Sequence, residues 1–140
     1  MKARIFLDTN IMLDLLGERY PYYEAVAKIA SLADSGKISI YVSALSYATV
    51  NYFLTKYEDQ KIARTKLRKF KVLSEISNLD ASILERSLSS DFADFEDAIQ
   101  YHCALKSKCS IILSRNQKDF KLSQIPVMSS EEYLVSLKER

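Results

Sequence analysis

The chain contains few of the residues on which linkers, zinc sites and disulfide frameworks depend. Its 140 residues include only two glycines and two prolines, which argues against extended linkers. The two cysteines, Cys103 and Cys109, lack CxxC spacing and have no cluster of histidines nearby. Neither a zinc site nor a disulfide framework is therefore supported, and we expect two buried or partly buried thiols.

The chain also has no long apolar run. Residues 1–4 precede an apolar stretch of only Ile5, Phe6 and Leu7, far short of the roughly 20 residues of a membrane span. We therefore expect a cytoplasmic protein with no membrane partner. A length of 140 residues fits one domain, residues 1–140, which can bury roughly two thirds of the surface of its unfolded state.

An excess of positive charge is missing as well, because 20 basic residues face 18 acidic ones and leave a net charge of +2. That value is too small to indicate nucleic-acid binding by itself. The one basic concentration spans residues 56–71 and includes Lys61, Arg64 and Arg68 around an apolar stripe. It is either the solvated face of a helix or a contact surface for a phosphate backbone.

Short apolar runs alternate with helical patterns, and this alternation predicts a parallel sheet with helices on its faces. The predicted strands cover residues 3–8, 38–42, 72–77, 110–114 and 126–128. The predicted helices cover residues 10–16, 21–35, 81–88 and 94–108, with two more after the N-caps Ser43 and Ser129. The helix after Ser43 is expected to bury Leu45, Ala48 and Tyr52, and helix 94–108 to bury Phe95, Ala98, Ile99 and Leu105.

The chemistry-bearing residues follow the predicted strands. Asp8 closes the first apolar run, and the loop after strand 110–114 contains Asn116 and Asp119. In open α/β sheets ligands gather at the carboxyl ends of strands, so these loops are expected at one edge. Asp97 lies near the start of the helix before that strand, on the same helix face as Asp94.

Clustered carboxylates repel one another, so a cation or a proton must neutralise them. Mg²⁺ and Mn²⁺ prefer oxygen ligands, bind a few carboxylates and keep several waters. Such an ion can activate water and stabilise charge on a scissile phosphate, which removes the need for a histidine base. The lone His102 therefore need not be catalytic.

Each acidic residue also has a structural alternative. Asp8, with Thr9 or Asn10, could cap the following helix. Asp94, Glu96 and Asp97 could complement the dipole at a helix start without any metal, and Asp119 could end a loop. The order of these residues along the chain, rather than any one of them, favours a shared site.

In four segments the chain resembles the PIN domain, a metal-dependent ribonuclease-like family found in the toxin half of many bacterial toxin-antitoxin pairs. The matching segments are residues 5–10 (IFLDTN), 42–46 (VSALS), 94–101 (DFEDAIQY) and 111–120 (IILSRNQKDF). The resemblance covers almost the whole length. It implies a three-layer α/β/α fold with a central parallel sheet of four or five strands and acidic side chains at its carboxyl edge.

Carried over by position, the resemblance assigns Asp8 and Asp97 as acidic metal ligands. The acid that the family has in the helix after the second strand is replaced by Thr49, or by Asn51 if the alignment shifts by two residues. The last acid is replaced by Asn116, with Asp119 three residues further on. The predicted metal ligands are Asp8, Asp94, Glu96, Asp97 and Asp119, of which Asp8, Asp97 and Asp119 are predicted to be catalytic. The predicted supporting residues are Thr9, Asn10, Ser43, Thr49, Ser114 and Asn116, and the predicted nucleic-acid contacts are Lys61, Arg64, Arg68, Arg115 and Lys118.

The leading hypothesis from the residues and the resemblance is a Mg²⁺- or Mn²⁺-dependent endoribonuclease that cleaves RNA, as the toxin of a toxin-antitoxin pair. The resemblance implies a small antitoxin protein as partner and makes a homodimer plausible. The first alternative is a PIN-like nucleic-acid or partner-binding module without catalysis, motivated by the neutral Thr49 and Asn116. The second is a phosphotransfer enzyme or receiver-type switch that uses Asp8 as nucleophile or phosphoacceptor.

Overall fold

The computed structural model describes residues 2–139, and a five-stranded parallel sheet lies at the centre of this part of the chain. The strands are β1 (Ala3–Leu7), β2 (Ile38–Ser43), β3 (Glu75–Ser77), β4 (Ile111–Leu113) and β5 (Val127–Met128). The helices are α1 (Thr9–Leu16), α2 (Tyr23–Asp34), α3 (Ala44–Leu54), α4 (Gln60–Leu73), α5 (Ala81–Leu88), α6 (Phe95–Lys106) and α7 (Ser130–Lys138), with a 3₁₀ turn at Gln117–Phe120.

The strand order is β3-β2-β1-β4-β5, which puts β1 in the middle. Every neighbouring pair is parallel; Leu7, for example, lies beside Leu113, and Leu113 beside Met128. All five carboxyl ends therefore meet at one edge. This edge carries the loops that begin at Asp8 and Ser114.

Two apolar cores lie on opposite faces of the sheet, and β1 contributes to both because its side chains alternate. Ile5 and Leu7 pack with α1, α2, α3, α4 and α7 on one face. Phe6 packs with α5 and α6 on the other. The predicted three-layer α/β/α fold with four or five parallel strands is confirmed.

Several helix starts follow from local capping. The Ser43 hydroxyl accepts a hydrogen bond from the Leu45 N–H at the start of α3. Ser129 and Glu132 form the predicted reciprocal capping box of α7, with bonds of 2.9 and 3.1 Å. These caps orient their helices relative to the strands that precede them.

The predicted inward faces of two helices are wrong in part. In α3 the buried residues are Ser46, Val50 and Leu54, whereas Tyr52 and Ala48 are exposed and Leu45 is half-buried. The inward face of α3 contains a serine because Ser46 pairs with other polar side chains, so hydrophobic spacing gave the wrong face.

In α6, Ala98 and Ile99 are buried as expected, but Phe95 and Leu105 are exposed. Both lie at the ends of the helix, in its first and last turns. Some predicted bounds are wrong too: α2 begins two residues after Pro21, and residues 72–74 belong to the end of α4 and its cap rather than to β3.

In residues 2–139, no helix combines the length and the apolar character needed to cross a bilayer. Cys103 and Cys109 are buried and unpaired, which confirms their expected role as packed thiols.

Candidate active site

Asp8 lies where β1 ends and α1 begins, and only 6% of it is exposed. Its backbone N–H donates to the Leu113 carbonyl at 3.0 Å, which fixes its position beside the end of β4. One carboxylate oxygen accepts from the Thr9 N–H at 2.8 Å, and the other from the Ser114 hydroxyl at 3.0 Å. Asp8 therefore caps α1, as the structural alternative expected, and it also faces a cleft.

That cleft, of about 160 Å³, opens at the carboxyl edge of the sheet between α1, α3 and α6. The predicted site residues that line it are Asp8, Thr9, Asn10, Thr49, Glu96, Asp97 and Asn116. Leu13, Phe53 and Gln100 complete the lining. The fold thus brings together polar residues from distant parts of the chain.

The remaining acids lie in a neighbouring cleft of about 390 Å³. Asp94, Asp119 and Lys118 line it, and Asp97 lines both clefts. The Asp94 carboxylate also accepts from the Asp97 N–H at 3.0 Å and caps α6, so its structural alternative holds as well. Asp94 and Asp119 are therefore adjacent to Asp8 and Asp97 without sharing the smaller cleft with Asp8.

The carboxylates raise one another's pKa. For Asp97, burial and then repulsion by Asp94, Asp8, Asp119 and Glu96 raise the pKa from 3.8 to about 7. For Asp8, burial raises the pKa above its ordinary value, while the hydrogen bonds from Ser114 and Thr9 lower it. The raised pKa values favour the protonated carboxyls in the metal-free protein, and a bound cation would favour their charged forms instead.

The donor set fits a weakly held oxygen-loving ion rather than a fully protein-bound one. Within residues 2–139, no three histidine, cysteine or acidic side chains are grouped closely enough to hold a metal by themselves. Asp8 and Asp97 offer carboxylates in the shared cleft, and Asn116 offers an amide oxygen. Mg²⁺ is commonly bound by one or two carboxylates together with substrate phosphate and several waters, and this set meets that requirement.

Thr49 is the α3 residue predicted to stand where the family has an acid, and it lines the cleft. Its hydroxyl donates to the Leu45 carbonyl one turn earlier, at 3.4 Å. The cleft lining includes Thr49 and not Asn51, and which of the two stands at the family's acid position stays a prediction. The side chain facing the carboxylates from α3 is therefore a hydroxyl instead of an acid.

Gln100 is a buried residue of this site that was not predicted. Its amide donates to the Thr9 hydroxyl at 3.0 Å and to the Ser46 hydroxyl at 3.3 Å, and these two hydroxyls lie 2.7 Å apart. The three side chains tie α1, α3 and α6 together beneath the cleft. The available sequence signal was the spacing of three residues from Asp97, which puts both on one helix face.

Ser43 and Ser114 form hydrogen bonds that hold neighbouring parts of the fold in place. Ser43 is buried as the cap of α3, and the Cys103 thiol donates to it at 3.7 Å. Ser114 donates to Asp8 and accepts from the Asn116 N–H at 3.0 Å, so it links the loop after β4 to the carboxylate.

Arg115 does not face the cleft as a free cation. Its guanidinium donates to both oxygens of Asp14, at 3.0 and 3.1 Å, and lies 3.9 Å from the centre of the Tyr22 ring. These contacts hold the loop after β4 against α1, and nucleic-acid contact by Arg115 stays a prediction. Asp14 was not predicted, because nothing in its neighbouring residues indicates a buried ion pair.

Most basic residues of α4 are exposed, and all of them lie outside both clefts. Lys61, Arg64 and Arg68 are on its outer face, whereas Lys66 pairs with Glu58 at 2.9 Å. Lys118 is exposed beside Asp119 in the larger cleft. His102 lines a separate hollow with Arg86 and Lys106, so it does not take part in the acidic site.

The fold and the acidic cleft define a class of α/β proteins with carboxylates at the carboxyl edge of a parallel sheet. The family model described as "PIN domain" matches residues 4–118. The chain therefore belongs to the PIN domain family.

Individual relatives agree with this assignment. The chain is 28% identical over 135 residues to Ribonuclease VapC1 of Aquifex aeolicus, with 93% of this chain and 92% of the relative covered. A toxin-antitoxin complex from Klebsiella pneumoniae contains a chain 25% identical, with a TM-score of 0.66 and coverage of 90% and 97%. VapBC2 from Rickettsia felis, solved with a promoter DNA fragment, has a chain 18% identical at a TM-score of 0.67, with the same coverage.

Proposed function

We propose that this protein is a Mg²⁺- or Mn²⁺-dependent endoribonuclease that hydrolyses RNA phosphodiester bonds. The observation that carries the proposal is the convergence of Asp8 and Asp97 in one polar cleft at the carboxyl edge of the sheet. Similarity to a VapC ribonuclease over most of both chains supports the choice of RNA as substrate.

In this proposal Asp8 and Asp97 hold the ion, and Glu96 in the same cleft adds negative charge. Asp94 and Asp119 act from the neighbouring cleft, through water. When bound, the ion would stabilise charge on the scissile phosphate and lower the pKa of a water.

The polar neighbours orient these groups. The Thr9 N–H and the Ser114 hydroxyl fix both oxygens of Asp8. The amides of Asn116 and Asn10, with the Thr9 hydroxyl, can donate hydrogen bonds to phosphate oxygens or hold a water within the cleft. Thr49 contributes a hydroxyl to the cleft, at the α3 position where an acid is predicted to be missing.

Cleavage of labelled RNA by the purified protein tests this assignment. We expect products with Mg²⁺ or Mn²⁺, none with a chelator, and losses of at least about 100-fold in Asp8→Asn and in Asp97→Asn, because each removes a charged ligand. Asp34→Asn, an exposed aspartate at the end of α2, is the matched control and should cleave normally. Cleavage that survives both substitutions would overturn the assignment of the two aspartates.

We also propose that the chain is the toxin of a toxin-antitoxin pair and forms a homodimer. The similarity to a chain of the Klebsiella pneumoniae toxin-antitoxin complex supports this role. Expression should arrest growth, co-expression of a short neighbouring gene should relieve the arrest, and Asp8→Asn should be harmless. Arrest that persists in Asp8→Asn would separate toxicity from the acidic cleft, and sedimentation of the purified protein tests the dimer.

A second candidate function is nucleic-acid or partner binding without catalysis. It is favoured by the neutral Thr49 and Asn116 in the cleft, where fewer carboxylates hold a cation less strongly. In that case the protein would bind RNA or a protein partner, and no metal would produce cleavage in the assay above.

A further inference from the structure

An exposed aromatic surface lies at the end of α3. Tyr52 is 61% exposed and Phe53 is 40% exposed, and their rings meet edge to face with centroids 5.4 Å apart. The Lys56 ammonium lies 4.6 Å from the centre of the Tyr52 ring and 4.9 Å from that of Phe53. We call these three residues the α3 platform.

The α3 platform is continuous with the acidic cleft. Phe53 lines the cleft together with Asp8 and Asp97. It lies one helical turn after Thr49, on the same side of α3. A molecule that binds in the cleft and extends along α3 would therefore meet the Phe53 ring first and then the Tyr52 ring and Lys56.

The Tyr52 and Phe53 rings form a contiguous exposed aromatic face next to the polar cleft, where a ligand bound in the cleft can contact it. Nucleic-acid bases stack on such rings, and a lysine beside them attracts the phosphate backbone. Only unpaired bases are free to stack in this way, since the bases of a duplex already stack on one another.

We propose that the α3 platform binds an unpaired base of the RNA substrate next to the phosphodiester held in the cleft. This inference rests on the proposed ribonuclease function. Tyr52 and Phe53 supply the stacking faces, and Lys56 holds the adjacent phosphate.

A second copy of this chain fits the α3 platform less well. A twofold interface centred on this surface brings the same residues together, so two Lys56 ammonium groups would approach each other. The neighbouring acid Glu58 is already paired with Lys66 at 2.9 Å and does not compensate. The positive charge of Lys56 instead complements the negative charge of a polyanion.

Binding of fluorescein-labelled single-stranded RNA to Asp8→Asn protein, with Mg²⁺ present, tests the platform without cleavage. We expect Phe53→Leu and Tyr52→Leu in this background each to weaken binding about tenfold, because leucine keeps the apolar volume and loses the stacking face. Tyr20→Leu, another exposed aromatic, is the matched control and should bind as the parent protein does.

A second measurement separates stacking from general damage to the surface. RNAs that carry one abasic nucleotide at successive positions should bind the parent about tenfold more weakly at one position only. Phe53→Leu protein should not distinguish that position, because the stacking partner is gone. The platform is supported if one abasic position weakens binding in the parent and not in Phe53→Leu protein. It is overturned if parent and variant respond equally at every position.

Failure of the α3 platform and failure of the ribonuclease function give different results. If the unmodified protein cleaves RNA while the leucine variants bind normally, the platform is wrong and the ribonuclease function stands. If no RNA is cleaved but binding depends on the platform, the ribonuclease function is wrong and the α3 platform remains only as an RNA-binding surface. If the variants change from dimer to monomer in sedimentation while their RNA binding is unchanged, the surface is a contact between copies and the proposal is overturned.

Discussion

Asp14 is a buried carboxylate, 1% exposed, whose two oxygens are both used by arginines. Arg19 donates to one oxygen at 2.9 Å, and Arg115 forks onto both from the loop after β4. A buried ion pair is costly to break, because the remaining charges lose their partner while still partly desolvated. This ion network therefore ties the end of α1 to the loop that carries Asn116.

We expect Asp14→Ala to lower the free energy of unfolding by about 3 kcal/mol, near the low end for broken buried pairs, since both arginines are partly exposed and regain some water. Urea denaturation measures the change. Asp34→Ala, on an exposed helix end, should stay within about 0.5 kcal/mol of the parent. Equal stability of the two variants would show that the Asp14 network contributes nothing.

The raised pKa of Asp97, about 7 against an ordinary 3.8, makes stability depend on pH in the metal-free protein. Between those values the folded chain binds more protons than the unfolded chain, so the free energy of unfolding falls as the pH rises from about 4 to about 7. Asp8, whose pKa burial also raises, acts in the same direction. Asp80 and Glu132 have lowered pKa values and act only at lower pH.

Melting temperatures in a chelating buffer at pH 5 and pH 8 measure this effect. His102, whose pKa burial lowers, opposes it, so the comparison that isolates Asp97 is with Asp97→Asn. The variant should gain stability at pH 8 relative to the parent and gain little at pH 5. A variant that is no more stabilised at pH 8 than at pH 5 would contradict the raised pKa.

Elements with a local signal could be predicted from the sequence. The apolar runs identified all five strands, and Ser43 and the Ser129–Glu132 pair located two helix starts because capping depends on residues a few positions apart. The inward face of α3 could not be found in this way. Ser46 faces inward because Thr9 and Gln100, from two other helices, satisfy its hydroxyl.

At the scale of one helix, α4 still has two interpretations, a solvated face or a surface for RNA. If Lys61, Arg64 and Arg68 contact phosphates, replacing all three by glutamine removes about three contacts with a single strand. The slope of log affinity against log salt concentration should then become shallower by about 2. Titrations of RNA at several salt concentrations measure it, with the melting temperature as a control for folding.

An unchanged salt slope would identify that face of α4 as solvated. A matched comparison is available on the same helix, because Lys66 is already paired with Glu58. Lys66→Gln should leave the slope nearly unchanged under either interpretation. It therefore controls for effects of a glutamine substitution on α4 that do not involve loss of a phosphate contact.

For the whole molecule, the sequence predicted which strand ends carry the acids, since parallel strands put their carboxyl ends at one edge. It could not predict how the edge divides into two clefts. Asp119 lies within the 3₁₀ turn Gln117–Phe120 and lines the larger cleft with Asp94, outside the smaller cleft that Asp8 lines. Turns of this kind depend on contacts across the fold and leave little trace in neighbouring residues.

Two clefts that share Asp97 make a specific prediction about metal binding. Mn²⁺ binds the folded chain through Asp8 and Asp97 in our proposal, and a ligand that binds only the folded state raises its melting temperature. At tenfold the dissociation constant the gain is about 1.4 kcal/mol, which corresponds to a rise of roughly 4 °C. Scanning fluorimetry across a Mn²⁺ titration measures it.

The location of the ion decides how the variants respond. Asp8→Asn should reduce the rise strongly, whereas Asp119→Asn should reduce it less, because Asp119 does not line the cleft that holds Asp8. The opposite order, with the loss concentrated in Asp119→Asn, would move the ion to the larger cleft with Asp94. Asp97 would then remain a shared ligand, and Asp8 would be left with its capping role at the start of α1.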